Sequence, residues 1–266
     1  METVTSADGT TIAFDRSGEG EGPPLLLIGG AFNDRNSPLP LAELLSPGFT
    51  VVRYDRRGRG DSGDSPRYAV EREIEDLAAV IGAVGGECML YGHSSGGALA
   101  LHAAAAGLPV PRLAIYEAPY TPDDQAVRKE GAERGERVKS LLAEGRRADA
   151  VIEFLGGIGL PPEMVEGMRH APMFPAMEAM APTLRYEYAV MGDGTTGGTV
   201  PAELLARVTR PALVLCGGAS PDPMRKVARE LAAGLPDAVL TELPGQTHAV
   251  DPEVVAPVLT AFFTES

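Results

Sequence analysis

The sequence has no tryptophan, only two cysteines and 5% aromatic residues, and its 23 lysines and arginines are outnumbered by 37 aspartates and glutamates. Each scarcity excludes something. A formal net charge of −14 leaves no basic face to displace counterions from nucleic acid or to meet anionic lipid headgroups, so neither is expected as a partner. A small-molecule substrate suits the charge better. Cys88 and Cys216 both lie inside apolar runs, ECMLYG and LVLCGG, and read as small core hydrophobes in a reducing compartment rather than as a disulfide. No stretch approaches the roughly 20 apolar residues of a membrane span, and the opening METVTSADGT has neither the basic nor the apolar region of a secretion signal. The expected location is the cytoplasm. Internal repeats and low-complexity segments are also missing, and one sequence leaves the oligomeric state open.

What is present is alternation. Strand-length apolar runs recur at 24–30, 49–55, 87–92, 112–117, 211–218 and 238–243, most of them continuously apolar, as strands covered on both faces are. Helical patterns occupy 68–84, 95–107, 222–235 and 251–263 between or after them. This predicts an α/β fold with a mostly parallel, doubly wound sheet of about eight strands and helices on both faces. The segment GTTIAFDRSG alternates instead, which predicts an antiparallel edge strand. From 118 to 208 no strand signal appears, only a charged helical stretch and a methionine-rich one. The expected organisation is therefore a core formed by 1–117 and 209–266, with 118–208 inserted as a helical cap whose charged face is solvated.

The run at 87–92 leads directly into Gly92-His93-Ser94-Ser95-Gly96-Gly97 and then a helix, the strand, sharp turn, helix context of a G-x-S-x-G nucleophile elbow. Ser94 has glycines two residues to either side, where such a turn brings backbone too close for a Cβ; Ser95 does not. Ser94 is thus the candidate nucleophile, and Ser95 offers a backbone N–H to a developing oxyanion. A serine hydroxyl needs a base, and the chain has four histidines. His93 adjoins the nucleophile, His102 sits among alanines on the next helix, and His170 lies in the insertion. His248 stands in PGQTHAVDPE, a loop between the last strand and a helix that Asp251 would cap, at the same carboxyl edge of the sheet as the elbow. It is the candidate general base.

On these residues the chain resembles the α/β-hydrolases over essentially its whole length, and specifically their cofactor-free esterase, lipase and haloperoxidase-like branch. YDRRGRGDS carries the family's D-x-R-G-x-G-x-S turn as Asp55, Arg57, Gly58, Gly60 and Ser62. That turn is expected to be structural, with an internal ion pair. The resemblance implies no cofactor and no metal, and a serine nucleophile points away from the dehalogenases and epoxide hydrolases of this fold. Where the family commonly has His-Gly, the chain has Gly29-Gly30, so the second oxyanion donor falls to Ala31 and the bracing of that loop is unaccounted for. Phe32, Asn33 and Arg35 would lie near the pocket mouth or at the surface. The implied function is hydrolysis of a small ester, thioester or lactone through a Ser94 acyl-enzyme. Acyl transfer, C–C hydrolysis, cyclase or lyase chemistry, and ligand binding without catalysis share the same features.

The third catalytic member is open. The family's usual acid follows the strand LVLCGG, three residues after a glycine, but Ser220 and Pro221 occupy those places and Asp222 arrives late, where it reads as a helix cap. Glu117 ends the strand RLAIYE, a position some haloalkane dehalogenases use for their acid. Glu117 is preferred, with Asp222 or no acid as alternatives. Six of the nine methionines (Met164, Met168, Met173, Met177, Met180 and Met191), with Phe154 and Phe174, fall in 118–208 and would either line a pocket or fill the cap's own core.

Overall fold

The structure is a computed structural model and describes residues 1–157, 162–192 and 198–265. Eight strands form one sheet: β1 (Glu2–Thr5), β2 (Thr11–Ser17), β3 (Leu25–Ile28), β4 (Val51–Tyr54), β5 (Met89–His93), β6 (Leu113–Tyr116), β7 (Ala212–Gly217) and β8 (Ala238–Leu243). Their order is β1-β2-β4-β3-β5-β6-β7-β8. Both pairings of β2 are antiparallel, whereas every pairing from β4 through β3 to β8 is parallel. The strand expected at the edge, GTTIAFDRSG, is β2; the true edge is β1, a short and mostly exposed strand with too little apolar signal to stand out.

The crossovers use α1 (Leu39–Leu45), α2 (Val70–Ala83) and α3 (Ser95–Ala105). Between β6 and β7 come α4 (Gln125–Ala143), α5 (Arg147–Gly156), α6 (Pro162–Gly167), α7 (Phe174–Met180), α8 (Leu184–Val190) and α9 (Ala202–Leu205), with two 3-10 turns. Residues 158–161 and 193–197 of the expected cap segment lie outside the described residues. The chain ends with α10 (Asp222–Gly234) and α11 (Pro252–Thr264).

Side chains on each central strand alternate between two cores. Leu26 and Ile28 of β3 belong to the core that α2, α3 and α10 close on one face, while Leu25 and Leu27 belong to the one that α1 and α11 close on the other. That is why these strands read as unbroken apolar runs: both faces are dry. Each fully buried leucine is worth roughly 1.5–3 kcal/mol, so the sheet is a rigid platform for the loops at its carboxyl edge. A third core lies within the inserted helices, built from Val138, Val151, Leu155, Phe174, Met177 and Leu184, and Ala31 and Phe32 of the β3–α1 loop pack against it.

The D-x-R-G-x-G-x-S turn is packed, but its charges look outward rather than at each other. Asp55 accepts from Arg35 and from the Asp61 N–H, and a Cβ at Gly60 would come within 2.3 Å of the Asp55 carboxylate. Arg57 makes two bonds of 2.7 Å to Asp76 and one of 2.9 Å to Asp8. Among the described residues no ion pair closes within the turn, because Asp55 pairs with Arg35 and Arg57 with Asp76 and Asp8; Arg35 is therefore part of the turn's support rather than of a pocket mouth.

Candidate active site

Among the described residues only Phe32, Ser94 and Glu117 adopt positive φ without being glycine. Such conformations cost about 1–3 kcal/mol each and persist where the surroundings over-determine them. All three surround one point at the carboxyl edge of the sheet. Ser94, at φ 57° and ψ −131°, joins β5 to α3. Its N–H donates to the Tyr116 carbonyl at 2.8 Å and its own carbonyl accepts from the Gly97 N–H at 2.8 Å. A Cβ at Gly92 would lie 2.4 Å from the Gly96 oxygen, one at Gly96 2.2 Å from the Ile28 oxygen, and one at Gly30 2.7 Å from Ser94 Cβ. Glycine is obligatory at each. Ser94 is half-buried and its Oγ makes no hydrogen bond among the described residues; the Ser95 hydroxyl is buried and donates to Glu187.

His248 follows β8 on a loop held at several points. The Ala219 N–H donates to the Gln246 carbonyl at 2.8 Å, Tyr116 Oη to the Thr247 carbonyl at 2.6 Å, and His93 Nε2–H to the His248 carbonyl at 2.9 Å. The His93 ring lies between those of Tyr116 and His248, at centroid distances of 5.6 and 4.9 Å. Burial, and then the neighbouring His248, push its pKa down to about 4, so it is a neutral donor at ordinary pH. Asp251 caps α11 as expected, accepting from the Glu253 N–H.

His248 Nδ1–H donates to Glu117 Oε2 at 2.8 Å, and Glu117 Oε1 accepts from the Gly217 N–H at 2.8 Å. Because a carboxylate only accepts, this pair fixes the tautomer and leaves His248 Nε2 as the basic nitrogen. Burial alone would raise the Glu117 pKa; the bonds from His248, the nearby Ser220 hydroxyl and the Gly217 N–H outweigh it and hold the carboxylate below its usual range. Ser220 is itself buried. Asp222 is elsewhere: its side chain is 82% exposed and paired with Arg225. It is the first residue of α10, whose N-cap is Pro221, so the cap expected at Asp222 falls one residue earlier. His170 is exposed in the insertion, and His102 Nε2–H is spent on the Val190 carbonyl at 2.9 Å.

On the other side of Ser94 lies a group of charges that motif reading does not find. Arg56, Arg59, Glu73 and Glu187 are all buried. Arg56 makes two bonds of 2.7 Å to Glu73 and one of 3.1 Å to Glu187, Arg59 donates to Glu187, and Tyr68 Oη donates to Glu73 at 2.8 Å. The arginines also reach backbone: Arg59 Nη1 donates to the Gly30 carbonyl at 2.5 Å and to that of Asn33 at 3.3 Å, and Arg56 Nη1 to that of Gly29 at 3.4 Å. This supplies the bracing that the missing His-Gly pair left unaccounted for. Glu187 had one signal in the sequence. It sits at helical spacing with Leu184 and Val190 on the buried stripe of α8, and an acid on an apolar stripe needs a buried partner.

Phe32 meets Phe154 of α5 edge-on at 5.5 Å, and Phe154 meets Tyr188 of α8 at 5.9 Å, so aromatic rings cover the β3–α1 loop. The methionines divide. Met164 and Met173 are 54% and 59% exposed, Met177 and Phe174 are buried in the core of the insertion, and Met191 belongs to the sheet core. A common methionine-lined pocket is not what these positions form.

The sequence profile of the alpha/beta hydrolase family matches residues 25–258. A crystal structure of an alpha/beta hydrolase from Sphaerobacter thermophilus is 52% identical, with a TM-score of 0.88 over 99% of this chain and 100% of that one. Among curated proteins, 2-(acetamidomethylene)succinate hydrolase of Mesorhizobium japonicum is 26% identical over 92% of this chain and 89% of its own length. The sn-1-specific diacylglycerol lipase ABHD11 of Danio rerio is 32% identical over 38% of this chain, which spans only 32% of that protein. With the profile running from β3 into α11, around both the elbow and the late histidine loop, the chain belongs to the alpha/beta hydrolase family.

Proposed function

We propose that the protein is a serine hydrolase acting on a small ester, thioester or lactone, with Ser94 as nucleophile, His248 as general base and Glu117 as its acid partner. The observation that carries this reading is the 2.8 Å bond from His248 Nδ1 to Glu117, on the same sheet edge as the strained Ser94 turn. The Ser94 hydroxyl proton passes to His248 Nε2 as Oγ attacks the carbonyl carbon, and Glu117 stabilises the resulting imidazolium. The tetrahedral oxyanion is held by the N–H groups of Ala31 and Ser95, each donor of this kind being worth about 10²–10³ in kcat. His248 then returns the proton to the leaving group. Water, activated by the same histidine, hydrolyses the acyl-enzyme.

Residues 118–208 act as a cap over this site. The rings of Phe32, Phe154 and Tyr188 present an apolar wall near Ala31, which favours an uncharged, apolar acyl or leaving group over a phosphate or polyanion. The test is turnover of a short-chain aryl ester by the wild-type protein and by Ser94→Ala. Loss of turnover in the variant supports the reading, and undiminished turnover rejects it. Product analysis with an added alcohol identifies the acceptor.

A further inference from the structure

Glu187 is bonded to one half of the proposed oxyanion hole directly and to the other through an arginine. Its Oε1 accepts from Arg59, whose other Nη donates to the Gly30 carbonyl, one residue before the donor Ala31. Its Oε2 accepts from the Ser95 hydroxyl and from Arg56 at 3.1 Å, and Arg56 in turn reaches the Gly29 carbonyl and Ser95 Oγ, both at 3.4 Å. One carboxylate therefore links the β3–α1 loop to the first turn of α3. It comes from neither element, being supplied by α8 in the insertion.

A buried cluster of two guanidinium groups and two carboxylates is a poor device for stability, because desolvating four charges offsets most of their mutual attraction. It is a good device for position. Fork-shaped donors on fixed acceptors allow little angular freedom, and oxyanion stabilisation depends on two N–H groups converging on one spot before charge develops. We propose that Glu187 is a positioning residue for catalysis, holding the Ala31 and Ser95 N–H donors in register through Arg59 and through the Ser95 hydroxyl. The inserted helices thereby complete the catalytic geometry as well as covering it. This rests on the serine hydrolase reading above.

The experiment uses the full chain and two readouts, the phosphonylation rate by a fluorophosphonate and steady-state hydrolysis of a short-chain aryl ester. The variants are Glu187→Gln, Ser95→Ala and Tyr186→Phe. Ser95→Ala keeps the backbone N–H while cutting one arm of the link, and it guards against misfolding of Glu187→Gln. Tyr186→Phe removes a bond of 2.8 Å from the same helix to Asp64 while keeping the ring that stacks on Tyr68 at 3.8 Å, so the bonds of the cluster stay in place. The expected result is a 10- to 100-fold loss of kcat and of phosphonylation rate in Glu187→Gln with KM within about threefold, a smaller loss in Ser95→Ala, and a double variant no slower than Glu187→Gln alone. Tyr186→Phe should lower the unfolding temperature while leaving kcat unchanged.

If wild type is phosphonylated at Ser94 and folded Glu187→Gln reacts at the same rate, the inference fails while the serine hydrolase reading stands. Should Glu187→Gln not fold, full activity in Ser95→Ala overturns the inference, as does an equal loss of kcat in Tyr186→Phe. A wild-type protein that is not phosphonylated at all overturns the reading itself, and the inference with it.

Discussion

On one side of Ser94, His248 and Glu117 sit on loops that follow β8 and β6; on the other, Arg56, Arg59, Glu73 and Glu187 form a cluster shared by the β4–α2 segment and α8. The first side contains a histidine whose side chain is 32% exposed, the proposed general base. The second holds four formal charges that are buried and sum to zero. One region is built to move charge and the other to stay fixed. Both are anchored to the same strained turn, and the proposed reaction would draw on both kinds of behaviour.

Removing the proton-handling side should have the largest effect. His248→Ala is expected to lower kcat for an aryl ester by about 10⁴–10⁶-fold with the fold intact by circular dichroism. Glu117→Gln should follow at about 10³–10⁴-fold, since the imidazole loses both its tautomer control and its counter-charge. Asp222→Asn, assayed in parallel, should stay within twofold of wild type; the reverse pattern would move the acid to α10. The frame between the two sides can be broken without touching either. Gly96→Ala would press a methyl onto the Ile28 carbonyl and should cost about 3 kcal/mol or more in urea unfolding.

A smaller effect separates the sides by pH. Folding depresses the His93 pKa from 6.5 to about 4, so the unfolded chain binds a proton in that interval that the folded one does not. His93 therefore contributes a stability that is fully present above about pH 6.5 and is lost as the pH falls towards about 4. Glu117, lowered from 4.5, adds a further loss at still lower pH by the same sign. The unfolding midpoint should fall across the upper interval in wild type and fall less in His93→Asn. The guanidinium groups of the second side should contribute nothing there, because they keep their protons; the contribution of Glu73, where burial raises the pKa but Arg56 more than offsets it, is lost with that of Glu117 at the acid end.

The two sides were also unequally legible in the sequence. Ser94, His248 and Glu117 are legible as candidates because each sits where a short-range pattern meets a strand end: glycines flanking a serine, a histidine before a helix cap, a glutamate after four apolar residues. The parallel strands were legible because they are dry on both faces. β1 carries no such signal, being exposed and only four residues long, and α1 carries little because its seven residues include a proline and show little periodicity. The cluster was hidden for a different reason. Arg56 and Arg59 fall between the named positions of a turn motif, and their partner Glu187 lies 128 or more residues away, so only the tertiary fold makes them one object. Asp222 reads in the sequence as a helix cap, but the N-cap position falls on Pro221, which makes no side-chain capping bond, and Asp222 pairs with Arg225 instead.

The most direct test of the division between the two sides is the pH profile of aryl ester turnover for wild type, Glu117→Gln and Glu187→Gln. The expected result is that Glu117→Gln moves the acidic limb to lower pH, because the imidazolium on His248 loses its carboxylate. Glu187→Gln should lower the plateau and leave the limb in place. A limb that shifts equally in both variants, or that does not move in Glu117→Gln, would contradict the assignment.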